Sequence, residues 1–395
     1  MKRQLLHTPE GVRDIYNDEC EKKMLLQDQL YHILRLHGYH PIQTPTFEFF
    51  DIFGREIGTT PSKDLYKFFD REGNTLVLRP DITPSIARCA AKYFGEEELP
   101  IRLCYMGNTF INNSSYQGRL KECTQLGAEL LGDPSVDADA EMISMVISCL
   151  KAAGLKEFQL SIGHADFFRG LMEAAGLLEE QEEELRELIS NKNFFGVEEF
   201  VETLNLEENL KKFFGMLGNL YTGSDELSAA RKCAASYPRI LKAIGDLEEL
   251  HKILEVYEVS RYVSFELGTI SNYQYYTGII FAGYTFGSGE AIVKGGRYDR
   301  LLTYFGKDSA SIGFAFVVDQ LMAALQRQKI DVPVERSVEL MVYKPAKRQT
   351  AITAAAAARA AGRCVELMLW DETKQKEDYE DYAARSRMIN VQFFA

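Results

Sequence analysis

Apolar residues recur at helical spacing over roughly residues 17–37, where Leu25, Leu26, Leu30, Ile33 and Leu34 share a face and Gly38 ends the run. The next stretch, residues 39–48, is extended and broken by Pro41 and Pro45. It suits a sheet edge or a contact between subunits, and equally a plain connecting strand. Alternation at 65–69 and 75–79 around the turn at 70–74 predicts a hairpin. A helix over about 83–94 follows, with Thr83 and Pro84 fitting a cap and first turn. Asp81 and Thr83 there either form a solvated cap or hold an amino group.

A strand over 101–110, a polar loop and a returning strand over 119–129 come next. On the return, Arg119, Lys121, Cys123 and Gln125 share one face, as do Glu129 and the odd positions beyond. A buried Gln125 and Glu129, two pleats apart, are costly unless they meet a ligand or each other. Residues 137–153 read as an amphipathic helix and 157–162 as a strand. From 165 to 256 the pattern is helical throughout, with six Glu in 179–187 that suit a solvated acidic face. Sheet signals resume at 262–266.

The chain is organised around residues 270–302. Two β-rich runs, Tyr275–Ala282 and Ala291–Lys294, flank a glycine-dense link and predict a central, buried hairpin. Tyr275 and Tyr276 beside Gly295 and Gly296 suggest the floor of a small-molecule site, or simply tyrosines packed in a sheet. Residues 309–325 give a strand feeding a helix, and 337–394 alternate as β-α-β-α-β. The expected organisation is an α+β core of residues 1–164 and 257–328, a helical insertion at 165–256 and a small α/β unit at 329–395.

Composition narrows the classes. The 395 residues are 46% apolar and 26% charged, enough for two or three domains. A net charge of −13 argues against a general nucleic-acid binder. The seven Cys form no CxxC, and the six His no HxxxH or HExxH. A reduced, cytoplasmic protein without a structural metal is expected. Neither a membrane-spanning run nor a signal-peptide core is apparent.

Several segments in the same order resemble class II aminoacyl-tRNA synthetases, and histidyl-tRNA synthetase in particular. They are Thr8–Asp14, the strand carrying Pro45 (motif 1), Leu78–Thr83, the 105–129 hairpin (motif 2), Tyr275–Gly278, Gly295–Asp299 and Ile312–Ala315. The resemblance covers about residues 8–325. It implies a six- or seven-stranded antiparallel sheet flanked by helices, dimerisation through motif 1 and a shortened anticodon-binding-like unit at the C-terminus. By motif, Asp81 and Thr83 fall on the family's contacts to the amino group of histidine, with Asp81 standing where Glu is usual. Gln125 and Glu129 fall on its polar pair, Tyr275 and Tyr276 on residues facing the imidazole, and Arg119 on a retained motif-2 arginine that can hold an anion.

The departures point away from catalysis. Where the synthetases carry arginines for the ATP phosphates, this chain has Ile111, Ser271 and Gln320. An arginine fork binds two phosphate oxygens and stays charged. Losing one such group typically lowers a rate by about 10²–10³-fold. A synthetase-like body that keeps a histidine pocket and lacks these arginines resembles the regulatory subunits of ATP phosphoribosyltransferase, a glycosyltransferase. That resemblance implies no catalytic residue and no cofactor, with histidine as an allosteric ligand. It also implies a short-form catalytic subunit as partner at the first step of histidine biosynthesis, activation and histidine feedback through the complex, and a hetero-octamer built on dimers. A divergent histidyl-tRNA synthetase is the alternative, although the acidic balance disfavours tRNA.

Overall fold

The computed structural model describes residues 6–54, 60–94, 100–113, 120–269, 275–334 and 337–395, and the chain divides into two compact units, Met1–Val332 and Pro333–Ala395. In the first unit the strands are β1 (His40–Pro41), β2 (Phe47–Phe49), β3 (Lys67–Phe69), β4 (Thr75–Leu78), β5 (Ile101–Phe110), β6 (Glu122–Leu131), β7 (Phe158–His164), β8 (Leu220–Tyr221), β9 (Val263–Glu266), β10 (Ile279–Thr285), β11 (Val293–Arg297) and β12 (Ser311–Val317). Its helices are α1 (Asn17–Leu36), α2 (Thr83–Tyr93), α3 (Val136–Ala152), α4 (Ala165–Ala175), α5 (Glu179–Ser190), α6 (Phe194–Glu202), α7 (Glu208–Met216), α8 (Ser224–Cys233), α9 (Pro238–Val256) and α10 (Val318–Arg327).

Nine strands form one sheet in the order β1-β5-β6-β12-β11-β10-β7-β9-β8. The run from β5 to β7 is antiparallel throughout. Parallel joins occur toward either end, β1 on β5 and β9 on β7, so the sheet is mixed rather than wholly antiparallel. Parallel neighbours need a long crossover. The helices between β7 and β9 supply one. That stretch is not helical throughout, because Leu220 and Tyr221 pair with Glu266 and Phe265 at the sheet margin. Pro41 lies in the edge strand β1, where a missing N–H is tolerated.

The register gives the sheet two unlike faces. Leu103, Glu129, Gly313, Gly296, Ile280 and Gly163 stand in one cross-strand row and therefore point to one side. The neighbouring row, with Cys104, Ala128, Phe314, Phe281 and Ile162, points to the other side. It joins Leu30 of α1, Ile143 of α3 and Leu247 of α9 in the large apolar core. The first face mixes small, polar and apolar residues and is covered in part by α2 and its cap residue, through Ile82, Ile86 and Ala90. One face is thus packed solid, and the other is built as a floor.

Beside it, β2, β4 and β3 form a three-stranded antiparallel sheet. Val77 turns inward to Phe53 and Leu65. Phe47, Phe49 and Phe68 occupy the opposite parity and remain exposed. Among the described residues, no helix is long and apolar enough to cross a membrane.

The second unit holds β13 (Val338–Tyr343), α11 (Arg348–Ala360), β14 (Cys364–Leu369), α12 (Lys376–Arg385) and β15 (Asn390–Phe394). Its sheet is parallel in the order β14-β13-β15. Leu340 and Val342 pack with Tyr379 and Ala383 of α12, while Met341 packs with Ala355 and Ala358 of α11. Strands covered on both faces are what a parallel sheet requires.

Candidate functional site

Glu129 is the centre of the floor face. It is 1% exposed, and both carboxylate oxygens are held: Thr83 Oγ1 donates to Oε1 at 2.7 Å, and the Tyr298 hydroxyl donates to Oε2. Burial is the main reason its carboxyl is pushed up to about 8, with the nearby Asp81 charge adding to the rise. Asp81 lies in the link from β4 to α2, and its Oδ1 accepts the Ile82 N–H at 2.8 Å. Burial raises it to about 6, opposed by hydrogen bonds from Ile82, Thr83 and the Gln125 side chain. Gln125 Oε1 is buried and makes no hydrogen bond among the described residues, and the buried Tyr105 hydroxyl lies beside Thr83 and Glu129 without a well-formed bond.

Thr83 does not act as the helix cap expected for it. The cap position is Ile82, and the Thr83 hydroxyl turns inward to a carboxylate 46 residues away in sequence. The solvated-cap reading is thus overturned at Thr83, while the half-buried Asp81 still accepts the Ile82 N–H at the helix start.

Tyr275 and Tyr276 precede β10 instead of opening it, and both are 7% exposed. Their ring centroids are 4.8 Å apart, and Tyr275 meets Tyr298 edge-on at 5.8 Å. The space left by the glycine pair is filled by aromatic rings. A Cβ at Gly296 would come 2.7 Å from the Tyr276 ring, and one at Gly295 would come 2.3 Å from the Phe281 ring on the far side. Glycine here admits tyrosine and phenylalanine into the sheet surface, and the open backbone approach expected at the pair is filled by those rings.

Asp81, Thr83, Gln125, Glu129, Tyr275 and Tyr276 therefore converge, joined by Tyr298 and Tyr105. Burial raises the phenols of both added tyrosines well above their ordinary value. Neither was singled out from sequence. Parity was the available signal, since Tyr105 sits opposite Gly127 and Tyr298 lies two residues beyond Gly296. Arg119 and Ser271 lie outside the described residues. The position of Ile111 is taken up by a backbone bond to Lys121 O at 2.9 Å. Near Gln320, Asp319 caps the Thr124 N–H at 2.7 Å and pairs with Lys23 at 2.7 Å.

The arrangement suits one kind of guest. The buried Glu129, the half-buried Asp81 and the unpartnered Gln125 amide oxygen are acceptors for a compact cation, and the tyrosine faces favour a flat or charged ring.

Known proteins of similar sequence and fold give the family. The family model for histidyl-tRNA synthetase matches residues 11–321. The ATP phosphoribosyltransferase regulatory subunit of Acetivibrio thermocellus is 41% identical, over 92% of this chain and 86% of that protein. The one from Ruminiclostridium cellulolyticum is 38% identical over 99% and 93%. The chain belongs to the ATP phosphoribosyltransferase regulatory subunits, on a histidyl-tRNA synthetase framework. A solved structure described as an ATP phosphoribosyltransferase regulatory subunit/histidyl-tRNA synthetase from Bacillus halodurans superposes with a TM-score of 0.87 at 32% identity, covering 99% and 98% of the two chains. Histidyl-tRNA synthetase from Nostoc shares the fold at a TM-score of 0.80 and 19% identity, covering 96% and 89%.

Within this family fold the acidic pocket is anchored from behind. Arg297, at the end of β11, is buried against Asp139 of α3 at 2.6 Å and donates to the Asp133 and Ser135 carbonyls, both at 3.0 Å. Its own carbonyl accepts the Thr277 N–H at 2.7 Å, so the tyrosine segment and the start of α3 are held by one residue.

Proposed function

We propose that this chain is the non-catalytic regulatory subunit of a short-form ATP phosphoribosyltransferase, acting at the first step of histidine biosynthesis and carrying a histidine-binding pocket. The observation that carries the reading is the buried Glu129, fixed by Thr83 and Tyr298 and facing Asp81 within a tyrosine enclosure. In this reading Asp81, Thr83 and Gln125 receive the ammonium of histidine. Glu129 and the Tyr275–Tyr276 pair receive its ring, and Arg119 receives its carboxylate. Ile111, Ser271 and Gln320 in place of arginines leave the triphosphate of ATP without a cationic grip, so no adenylate forms.

Regulation then follows from linkage. Histidine that binds one state of the complex better than another biases the partner's active site, and the partner biases histidine binding equally. Self-association belongs to the same reading. Phe47 and Phe49 are 52% and 55% exposed on β2, which follows Pro45 of the motif-1 segment, and a second copy of this chain would cover them. Those dimers assemble with the catalytic subunit, four and four, in the cytoplasm.

The test is co-expression with a short-form catalytic subunit, with phosphoribosyl transfer measured with and without histidine. Activation on assembly and inhibition by histidine are expected. Histidine-dependent pyrophosphate exchange by this chain alone would replace the reading with an active synthetase.

A further inference from the structure

Arg169 of α4 reaches the backbone of the tyrosine pair. Its Nη2 donates to the carbonyl of Tyr276 at 2.7 Å. Its Nη1 lies 3.5 Å from Asp166 Oδ1. The same Asp166 oxygen accepts from Arg239, at 3.1 Å from Nε and 2.7 Å from Nη2. Arg239 belongs to the first turn of α9 and also reaches Glu173 at 3.2 Å. One chain of charge-assisted bonds thus runs from α9 through α4 to the backbone of Tyr276.

Two further contacts make this junction stiff. The Ala165 N–H donates to Gly278 O at 2.8 Å, so the first residue of α4 holds the segment just past the tyrosines. The helices approach closely at Gly170, where a Cβ would come 2.8 Å from Ile240. That approach sets Arg239 over Asp166. The His164 ring beneath is tied to α9 as well, with Nε2 3.5 Å from Asp246 Oδ2.

We infer that Arg169, held by Asp166 and Arg239, is a positioning residue that sets Tyr276 for ligand binding and links the placement of α9 to the pocket. Rotation or shift of α9 pulls on Asp166 and, through Arg169, on the carbonyl of Tyr276, whose ring rests against Gly296. Ligand entering against that ring pushes the same chain in reverse, as reciprocity requires. The inference rests on the histidine reading for its ligand and on the geometry alone for its mechanics.

The experiment uses the full chain in Arg169→Met, Arg169→Lys and Arg239→Ala forms. Calorimetry with histidine is combined with hydrogen exchange at the Thr277 amide, which is bonded to Arg297 O. Removing a bond to a charged donor should weaken histidine binding about tenfold in Arg169→Met. The Thr277 amide should exchange faster even without ligand. Arg169→Lys, which keeps one charged donor, should recover much of both effects. Arg239→Ala lies on an exposed side chain and should weaken binding by a few-fold, less than additively with Arg169→Met. Should Arg169→Met fail to fold, Arg239→Ala and Arg169→Lys carry the test. Wild-type affinity and wild-type Thr277 exchange in the variants would overturn the inference. A wild-type chain that binds no histidine would instead remove the proposed ligand, and the exchange rates alone would then decide the mechanics.

Discussion

Glu129 and Gly313 stand opposite one another on β6 and β12, and a Cβ at residue 313 would lie 1.5 Å from the Glu129 Oε2 atom. The carboxylate occupies the volume a side chain would need. Gly313→Ala therefore cannot keep Glu129 where Thr83 and Tyr298 hold it. The expected outcome is destabilisation of about 1–3 kcal/mol from overpacking, together with a loss of histidine affinity. Calorimetry and urea unfolding on the same variant separate the two. Unchanged affinity in Gly313→Ala would mean that the carboxylate is not part of the binding site.

The raised carboxyl of Glu129 has a consequence for stability. Its ordinary value is 4.5 and its folded value about 8, so between these the native state holds a proton that the unfolded chain has released. Stability contributed by the protonated group is complete below about pH 4.5 and is lost as pH rises through about 8. Glu129→Gln has nearly the same shape and no such titration. Its melting temperature, compared with wild type, should rise progressively between pH 5 and pH 8. Asp81 also titrates upward but is present in both proteins, so the difference reports Glu129. Parallel melting curves across that range would show the carboxyl to be ionised throughout.

The small sheet yields a prediction about assembly. Phe47 and Phe49 share a face, and Phe47 meets Phe68 edge-on at 5.7 Å. Replacing both Phe47 and Phe49 with Asp should leave the melting temperature of the isolated chain nearly unchanged, since exposed positions contribute little. It should shift the sedimentation profile from dimer to monomer. A double variant that still sediments as a dimer places the subunit contact elsewhere.

How far the site was legible depends on which force shaped each residue. Glu129 and Gln125 were visible because polar side chains on the inward parity of a buried strand need a reason to be there. At Thr83 the cap reading fails because local chemistry favours a hydroxyl at a helix start, while the carboxylate that captures it lies on another strand. Tyr298 and Tyr105 were missed although their parity placed them on the floor face. Tyrosine is common in sheets, and only the burial of Glu129 makes their hydroxyls matter. The hairpins at 65–79 and 279–297 were readable from alternation and turn residues. The parallel joins were not: β1 reaches β5 through the small sheet and α2, β7 reaches β9 through six helices, and neither crossover leaves a local trace. The linkage of Arg239, Asp166 and Arg169 was equally hidden, being made of charges on two helix surfaces that resemble any solvated face.

The anchor behind the pocket sets the last expectation. Arg297 and Asp139 are both nearly fully buried and 2.6 Å apart. Asp139→Ala would leave the buried guanidinium with the Asp133 and Ser135 carbonyls and the longer, 3.4 Å contact to Asp299 Oδ1. Losing the nearer carboxylate of a buried pair is expected to destabilise by up to about 3–5 kcal/mol, with Asp299 retaining part of the pairing. Replacing both residues, Asp139→Leu with Arg297→Met, removes the stranded charge but leaves those two carbonyls without donors. The double variant should therefore lie between wild type and Asp139→Ala in its urea midpoint. An ordering in which the double variant is the least stable would mean that Arg297 acts mainly as a donor to the loop before α3, with its charge partner of little account.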